Sequence, residues 1–283
     1  MIRVAVFSFL LMCSQSQATA VFDETRWSNS SAIDHCGLTL TDNRKSFVVS
    51  FEKYAGEDVT SSVTTKQQDD LSAGGTLSSI APQWSLSTQY SPIALSMRPL
   101  SNKPTVVKNT QSHKAINSLL EQVSAGYWLS FVTPTKSVTL PTVNSKKPIK
   151  DFRLCIDSLP PISLTAASNA NIFFASSLSD LTQSNKELIA AISTLVKRDK
   201  RITKILLDGY SDSNGYRFQN LQLSKLRTDN AALEFVKNGI SIDMLERRSH
   251  GDRYPSMTGN SGVKNNRRVN IRLVVNYNTL EKI

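Results

Sequence analysis

Gly209-Tyr210-Ser211-Asp212-Ser213-Asn214-Gly215, then Asn220-Leu221-Gln222-Leu223-Ser224-Lys225-Leu226-Arg227, and finally Asn266-Arg267-Arg268-Val269 are three spaced segments near the C-terminus. The first follows the apolar run Ile205-Leu206-Leu207 and reads as a loop leaving a strand. The second opens a helix-patterned stretch, and the third leads into a final strand. This reading puts Asp212 on the loop and Arg227 in the first turn of the next helix. A carboxylate and a guanidinium so placed can grip a zwitterion, the acid taking an ammonium and the Arg fork a carboxylate. The pair points to binding without chemistry.

Strand and helix patterns alternate around these segments. Asn171 to Phe174 is strand-like, with one of Phe173 and Phe174 expected in the core and the other flanking the pocket. Ser184-Asn185-Lys186-Glu187 reads as a capping box, and Leu188, Ile192, Leu195 and Val196 supply an apolar helical face. Lys204 to Asp208 is the next strand. Leu223, Leu226, Ala231, Leu233 and Val236 are expected to line a second helix, with Asn238-Gly239 at its C-cap. Strands near Leu245 to His250 and Arg268 to Val275 complete βαβαββ, with the helices on one side of a mixed sheet.

The three segments, in order, resemble the OmpA-like peptidoglycan-binding domain, whose pattern is roughly G-[HY]-[TS]-D-x-x-G, N-x-x-L-S-x-x-R-A and N-R-R-V. The resemblance covers about residues 165–277, with Thr228 in place of the usual Ala and Val263 where a basic residue is common. It implies that Asp212 and Arg227 hold the diaminopimelate of the wall peptide, with Asn220, Asn266 and Arg268 as further peptidoglycan-binding residues.

The N-terminus reads as a targeting segment. Arg3 precedes an apolar run, Val4 to Met12, and a small-residue site, Ala18-Thr19-Ala20, follows. This is the pattern of a signal peptide over residues 1–20, cleaved after Ala20. Met12, before Cys13, is bulkier than the small residue that lipoprotein processing requires. The remaining cysteines, Cys36 and Cys155, admit one intramolecular disulfide in an oxidising compartment, two unrelated buried thiols being the alternative. His35, His113 and His250 are scattered without metal-ligand spacing, and neither a metal nor a cofactor is expected.

The formal net charge is +10, and it is unevenly placed. Residues 21–158 carry 14 basic against 12 acidic side chains, and residues 159–283 carry 18 against 11. A basic C-terminal half suits an anionic wall. Nucleic acid is disfavoured by the export signal and by the lack of aromatic residues interleaved with the basic ones. Residues 21–158 read as a β-rich domain, a small barrel or sandwich with one helix near Ser112 to Val123. Its strands include Phe47 to Phe51, Val59 to Thr64, Trp84 to Ser87 and Tyr127 to Val132. Leu159-Pro160-Pro161-Ile162 and the small residues Thr165 to Ser168 mark a connector, and residues 159–283 form the second domain. The fold class is α+β, and nothing in the chain reads as catalytic.

The signal peptide, the β-rich domain with Cys36 and Cys155 near its ends, and the segments Ser78-Ser79-Ile80-Ala81-Pro82-Gln83-Trp84, Met97-Arg98-Pro99-Leu100, Leu119-Leu120-Glu121 and Gly126-Tyr127-Trp128 resemble the MotY family. Those proteins form the T ring of the sodium-driven flagellar motor. The resemblance implies a non-enzymatic periplasmic component around the basal body, forming a ring homo-oligomer. Its N-terminal domain would contact the motor, the stator and other T-ring proteins, while its C-terminal domain grips peptidoglycan. A general envelope tether unrelated to motility is the alternative.

Overall fold

The computed structural model describes residues 17–19, 25–43, 46–65, 71–82, 84–85, 91–100, 103–109, 113–255 and 266–276. The expected signal peptide other than 17–19, Cys13, Leu86–Ser87 and Val263 lie outside the described residues. The chain separates into two compact units. The first takes in residues up to Ser31 with Cys36–Lys53 and Asp58–Asp157, and the second Ala32–His35, Tyr54–Glu57 and the chain from Ser158.

The first unit is a nearly closed barrel. Its strands are β1 (Gln17–Thr19), β2 (Thr25–Ser31), β3 (His35–Asp42), β4 (Phe47–Tyr54), β5 (Thr60–Thr65), β6 (Gly75–Ile80), β7 (Ala94–Leu100), β8 (Lys103–Asn109), β9 (Trp128–Val132) and β10 (Ser137–Leu140). They run in the order β1-β10-β9-β6-β7-β8-β5-β4-β3-β2. Alternation decides the inside: Phe47, Val49 and Phe51 of β4 are buried, and so are Leu38 and Leu40 of β3 and Leu129 and Phe131 of β9. Helix α1 (His113–Ser124) buries Ile116, Leu119, Leu120 and Val123 against β5, β6 and β7. Buried Gln122 is satisfied, accepting from Ser79 Oγ and donating to the Ser91 carbonyl at 2.8 Å.

Three local readings are corrected between Trp84 and Ser168. A second helix, α2 (Lys146–Ser158), joins α1, with Pro148 in its first turn where a missing N–H leaves nothing unsatisfied. Trp84 and Ser85 lie at a turn rather than in a strand. The small residues placed in the connector fold as a short helix, α3 (Leu164–Ser168), because Ser163 Oγ accepts from Ala166 N at 3.2 Å and caps it. Cys36 at the start of β3 and Cys155 on α2 form the disulfide, their Cα atoms 6.0 Å apart across 119 positions of chain.

The second unit contains β11 (Asn171–Phe173), α4 (Gln183–Arg198), β12 (Ile202–Tyr210), α5 (Arg217–Lys237), a 3₁₀ turn (Ile242–Met244), β13 (Leu245–Gly251) and β14 (Arg268–Val275). The sheet order is β11-β14-β12-β13, parallel only between β12 and β13. Helices α4 and α5 cover one face, over Ile172, Ile205, Leu207, Val269 and Ile271. Thr182, not Ser184, caps α4, its Oγ1 accepting from Asn185 N at 3.2 Å. At the end of α5, Gly239 takes φ +78°. Its N–H bonds Val236 O at 2.8 Å while Ile240 N–H bonds Phe235 O at 3.1 Å, a Schellman closure.

The phase of α5 differs from the expected one. Leu226, Leu233 and Val236 face solvent, and the buried face is Asn220, Ser224, Arg227, Thr228, Ala231, Ala232 and Phe235. Gly209 is the cause. A Cβ there would lie 2.6 Å from both Ser224 O and Thr228 Cγ2, so α5 approaches β12 too closely for leucines between them.

Candidate functional site

Strand β12 ends at Tyr210, and the next two residues start the loop to α5. Ser211 N–H donates to Gly251 O at 2.8 Å, tying the loop to the end of β13. Gly251, at φ +58°, returns its own N–H to Ser224 Oγ at 3.1 Å. Ser224 in turn donates to Leu221 O at 2.8 Å. The motif serine is thus a buried bolt between loop, strand and helix, and it positions Asp212 without touching it.

Asp212 is 8% exposed, and its Oδ2 accepts from Arg267 Nη1 at 3.1 Å. Arg267 Nε donates to Phe174 O at 3.2 Å, and Phe174 N–H bonds Arg267 O at 2.9 Å. Arg267 is therefore built into the sheet end and presents a fixed cation to the carboxylate. The sequence reading placed its neighbours Asn266 and Arg268 at the site and passed over Arg267. Asn266 is buried just before it. Arg268 lies on the opposite sheet face, its guanidinium 4.1 Å above the Tyr210 ring. The signal that could have separated the three is period two: Val269 and Ile271 face the helices, which sends Arg268 to the other side.

Arg227 is mid-helix rather than in the first turn, and it is fully buried. Its Nε donates to Leu178 O at 2.9 Å, Nη1 to Tyr210 O at 3.2 Å and Nη2 to Ala175 O at 3.2 Å. Phe174 lies under the guanidinium, 5.0 Å from its centroid. Burial pulls its pKa down to about 10, the Asp212 charge pulling it back up and Arg267 opposing. It stays protonated at neutral pH. A guanidinium has five N–H groups. Three are committed to carbonyls, which among the described residues leaves one on each terminal nitrogen. Asn220, in the first turn of α5, is 5% exposed, and its Nδ2 has no partner among the described residues; the same holds for Ser211 Oγ. Asn220 abuts Gly251, which holds Ser211. The loop thus brings together one carboxylate and two guanidinia, Asp212 bonded to Arg267 and near enough to Arg227 for its charge to act there.

The open sheet face carries a second polar cluster that the sequence did not announce. Asp208 is 2% exposed, accepts from His250 Nε2 at 2.8 Å, and takes a second bond from Arg272. Burial opposes its ionisation, but the bonds from His250 and Arg272 prevail and hold its carboxyl below the usual range. Tyr210 stacks on His250 with centroids 4.9 Å apart, and burial raises its hydroxyl above the ordinary value. Among the described residues, no group of acidic, His and Cys side chains could hold a metal ion, and no helix is long and apolar enough to cross a membrane.

Residues 19–161 match the family of the MotY N-terminal domain, and residues 173–268 match the OmpA family. Among solved structures, the chain is similar to a MotB-like protein from Desulfovibrio vulgaris at 26% identity. That match spans 37% of this chain and 70% of the other, with a TM-score of 0.33. It is also similar to the C-terminal domain of Helicobacter pylori MotB at 18% identity, spanning 38% and 87%, TM-score 0.36. The peptidoglycan-associated lipoprotein from Burkholderia pseudomallei matches at 19% identity, spanning 36% and 88%, TM-score 0.35. No curated protein matches the chain.

Proposed function

The chain belongs to the family of the MotY N-terminal domain, and from that premise we propose that it is a non-enzymatic periplasmic component of the flagellar motor. Its C-terminal unit grips peptidoglycan, and its N-terminal unit holds the motor-facing contacts of a T ring and supports stator assembly. The OmpA-family match over residues 173–268 supports the wall-binding half.

One observation carries the site assignment. Asp212 gives only Oδ2 to Arg267, while buried Arg227 keeps an N–H on each terminal nitrogen. Oδ1 of Asp212 can take the ammonium of a diaminopimelate side chain. The two remaining Arg227 N–H groups can take its carboxylate, and Asn220 Nδ2 a neighbouring stem-peptide carbonyl, once the residues that cover these buried groups shift to admit the ligand. Each charge-assisted bond contributes about 1.5–3 kcal/mol, giving modest affinity at a single site. A ring of copies bound to one covalent network converts that into firm attachment, which a stator under torque requires.

Pull-down of purified sacculi tests the wall-binding half, with Asp212→Asn as the diagnostic variant. Undiminished binding by that variant removes the assignment. Swimming of a deletion strain tests the motor half, and normal motility leaves the reading of a general envelope tether.

A further inference from the structure

The chain has three tryptophans, Trp27, Trp84 and Trp128, and all three line one open groove of the N-terminal unit. Trp84 is 61% exposed and meets Trp128 edge to face, centroids 5.0 Å apart. Trp27 Nε1 is buried with no hydrogen-bond partner among the described residues. Arg26, Lys146 and Lys147 line the same groove, and none of its described lining residues is acidic. Lys147 shares its charge with Asp151 at 2.7 Å on the solvent side.

Trp27 and Arg26 belong to β2, the last strand of the ten-stranded sheet. Beyond its pairing with β3, the outer edge of β2 has no backbone partner among the described residues. An unpaired edge is a template for another chain. The groove encloses about 1170 Å³, above the roughly 300–1,000 Å³ of small-molecule sites. Its scale suits a polymer, and the strand edge favours a polypeptide, whose alternating N–H and C=O groups match the edge as sugar hydroxyls do not.

We propose that this groove docks an extended acidic polypeptide segment of a partner protein. The segment adds along the edge of β2, seats apolar or proline side chains against the tryptophans, and places carboxylates on Arg26, Lys146 and Lys147. The inference goes beyond wall anchoring and occupies the other unit, so sacculus binding serves as an independent control.

All the tryptophans line the groove, so intrinsic fluorescence reports its occupancy. A random peptide library displayed on phage is panned against the full chain, and enriched peptides are titrated in solution by tryptophan quenching. The expected outcome is enrichment of acidic sequences that quench saturably. Their affinity then falls about tenfold or more with Trp84→Ala and with the double change Arg26→Glu, Lys146→Glu. The thermal midpoint and sacculus binding stay unchanged in both variants. Failure to enrich a saturable binder, enrichment without acidic bias, or equal affinity in the variants overturns the proposal. Quenching by glycan strands stripped of stem peptides, in place of peptides, overturns it in favour of carbohydrate.

Discussion

Asp212 is held by Arg267, 3.1 Å away across 55 positions of sequence, and not by Arg227, fifteen positions along the same motif pair. Arg227 is instead bonded to three backbone carbonyls in the interior. The two motif residues therefore differ in kind. Asp212 is a paired carboxylate on a fixed loop, while Arg227 anchors the architecture around it.

Asp212→Asn keeps an acceptor for Arg267 and removes the charge offered to an ammonium. Sacculus binding should fall by about tenfold or more, the loss of one charge-assisted bond. The thermal midpoint of the C-terminal unit should move by no more than a few degrees.

Arg227→Ala should act on stability as well as binding. It removes the donor from three backbone carbonyls and empties the space over Phe174. We expect a loss of about 3 kcal/mol or more in the unfolding free energy of the C-terminal unit, read from denaturant titration. Arg227→Lys restores the charge without the fork and should recover only part of it. A fully stable Arg227→Ala would show that the carbonyl bonds contribute nothing.

Reduction of the disulfide, or Cys36→Ser, should destabilise the N-terminal unit specifically. The bridge closes a loop of 119 positions, worth about 4–5 kcal/mol in the chain-entropy model. Calorimetry with and without reductant should lower the N-terminal transition and leave the C-terminal one in place. A shift confined to the C-terminal transition contradicts this account.

Two buried acids set the acid response of the C-terminal unit. Asp199 is held below the usual carboxylate range first by its side-chain bond with Arg201, whose Nη2 lies 2.7 Å away, and Asp208 by His250 and Arg272. Both folded values lie below the unfolded one, near 3.8, so the unfolded chain binds more protons in that interval. Their stabilisation is complete above that pH and is lost as pH falls through the folded values. Denaturant midpoints measured from pH 6 to pH 2 should drop below about pH 4, and Asp208→Asn should flatten that drop. An unchanged slope in the variant would show that Asp208 does not contribute.

Much of this molecule was legible locally. The final strand over Arg268 to Val275, the close of α5 at Asn238-Gly239 and the apolar face of α4 depend on neighbours within a turn or a pleat. Helix α2 escaped notice because Ile149 and Phe152 are its only buried residues, a stripe too sparse to stand out beside Pro148. Arg267 escaped because the N-R-R-V motif places three polar side chains side by side and only the sheet sorts them.

The linear chain determined the βαβαββ order, the disulfide partners and the presence of an acid and a base at the C-terminal site. These follow from periodicity, capping chemistry and a count of two cysteines. Tertiary structure alone decided which guanidinium holds Asp212, how α5 is rotated and where three tryptophans meet. The clearance at Gly209 turns the helix so that Arg227 points inward, and the return of β14 carries Arg267 to the loop. Those are contacts between segments far apart in sequence, and their geometry exists only once the sheet has closed.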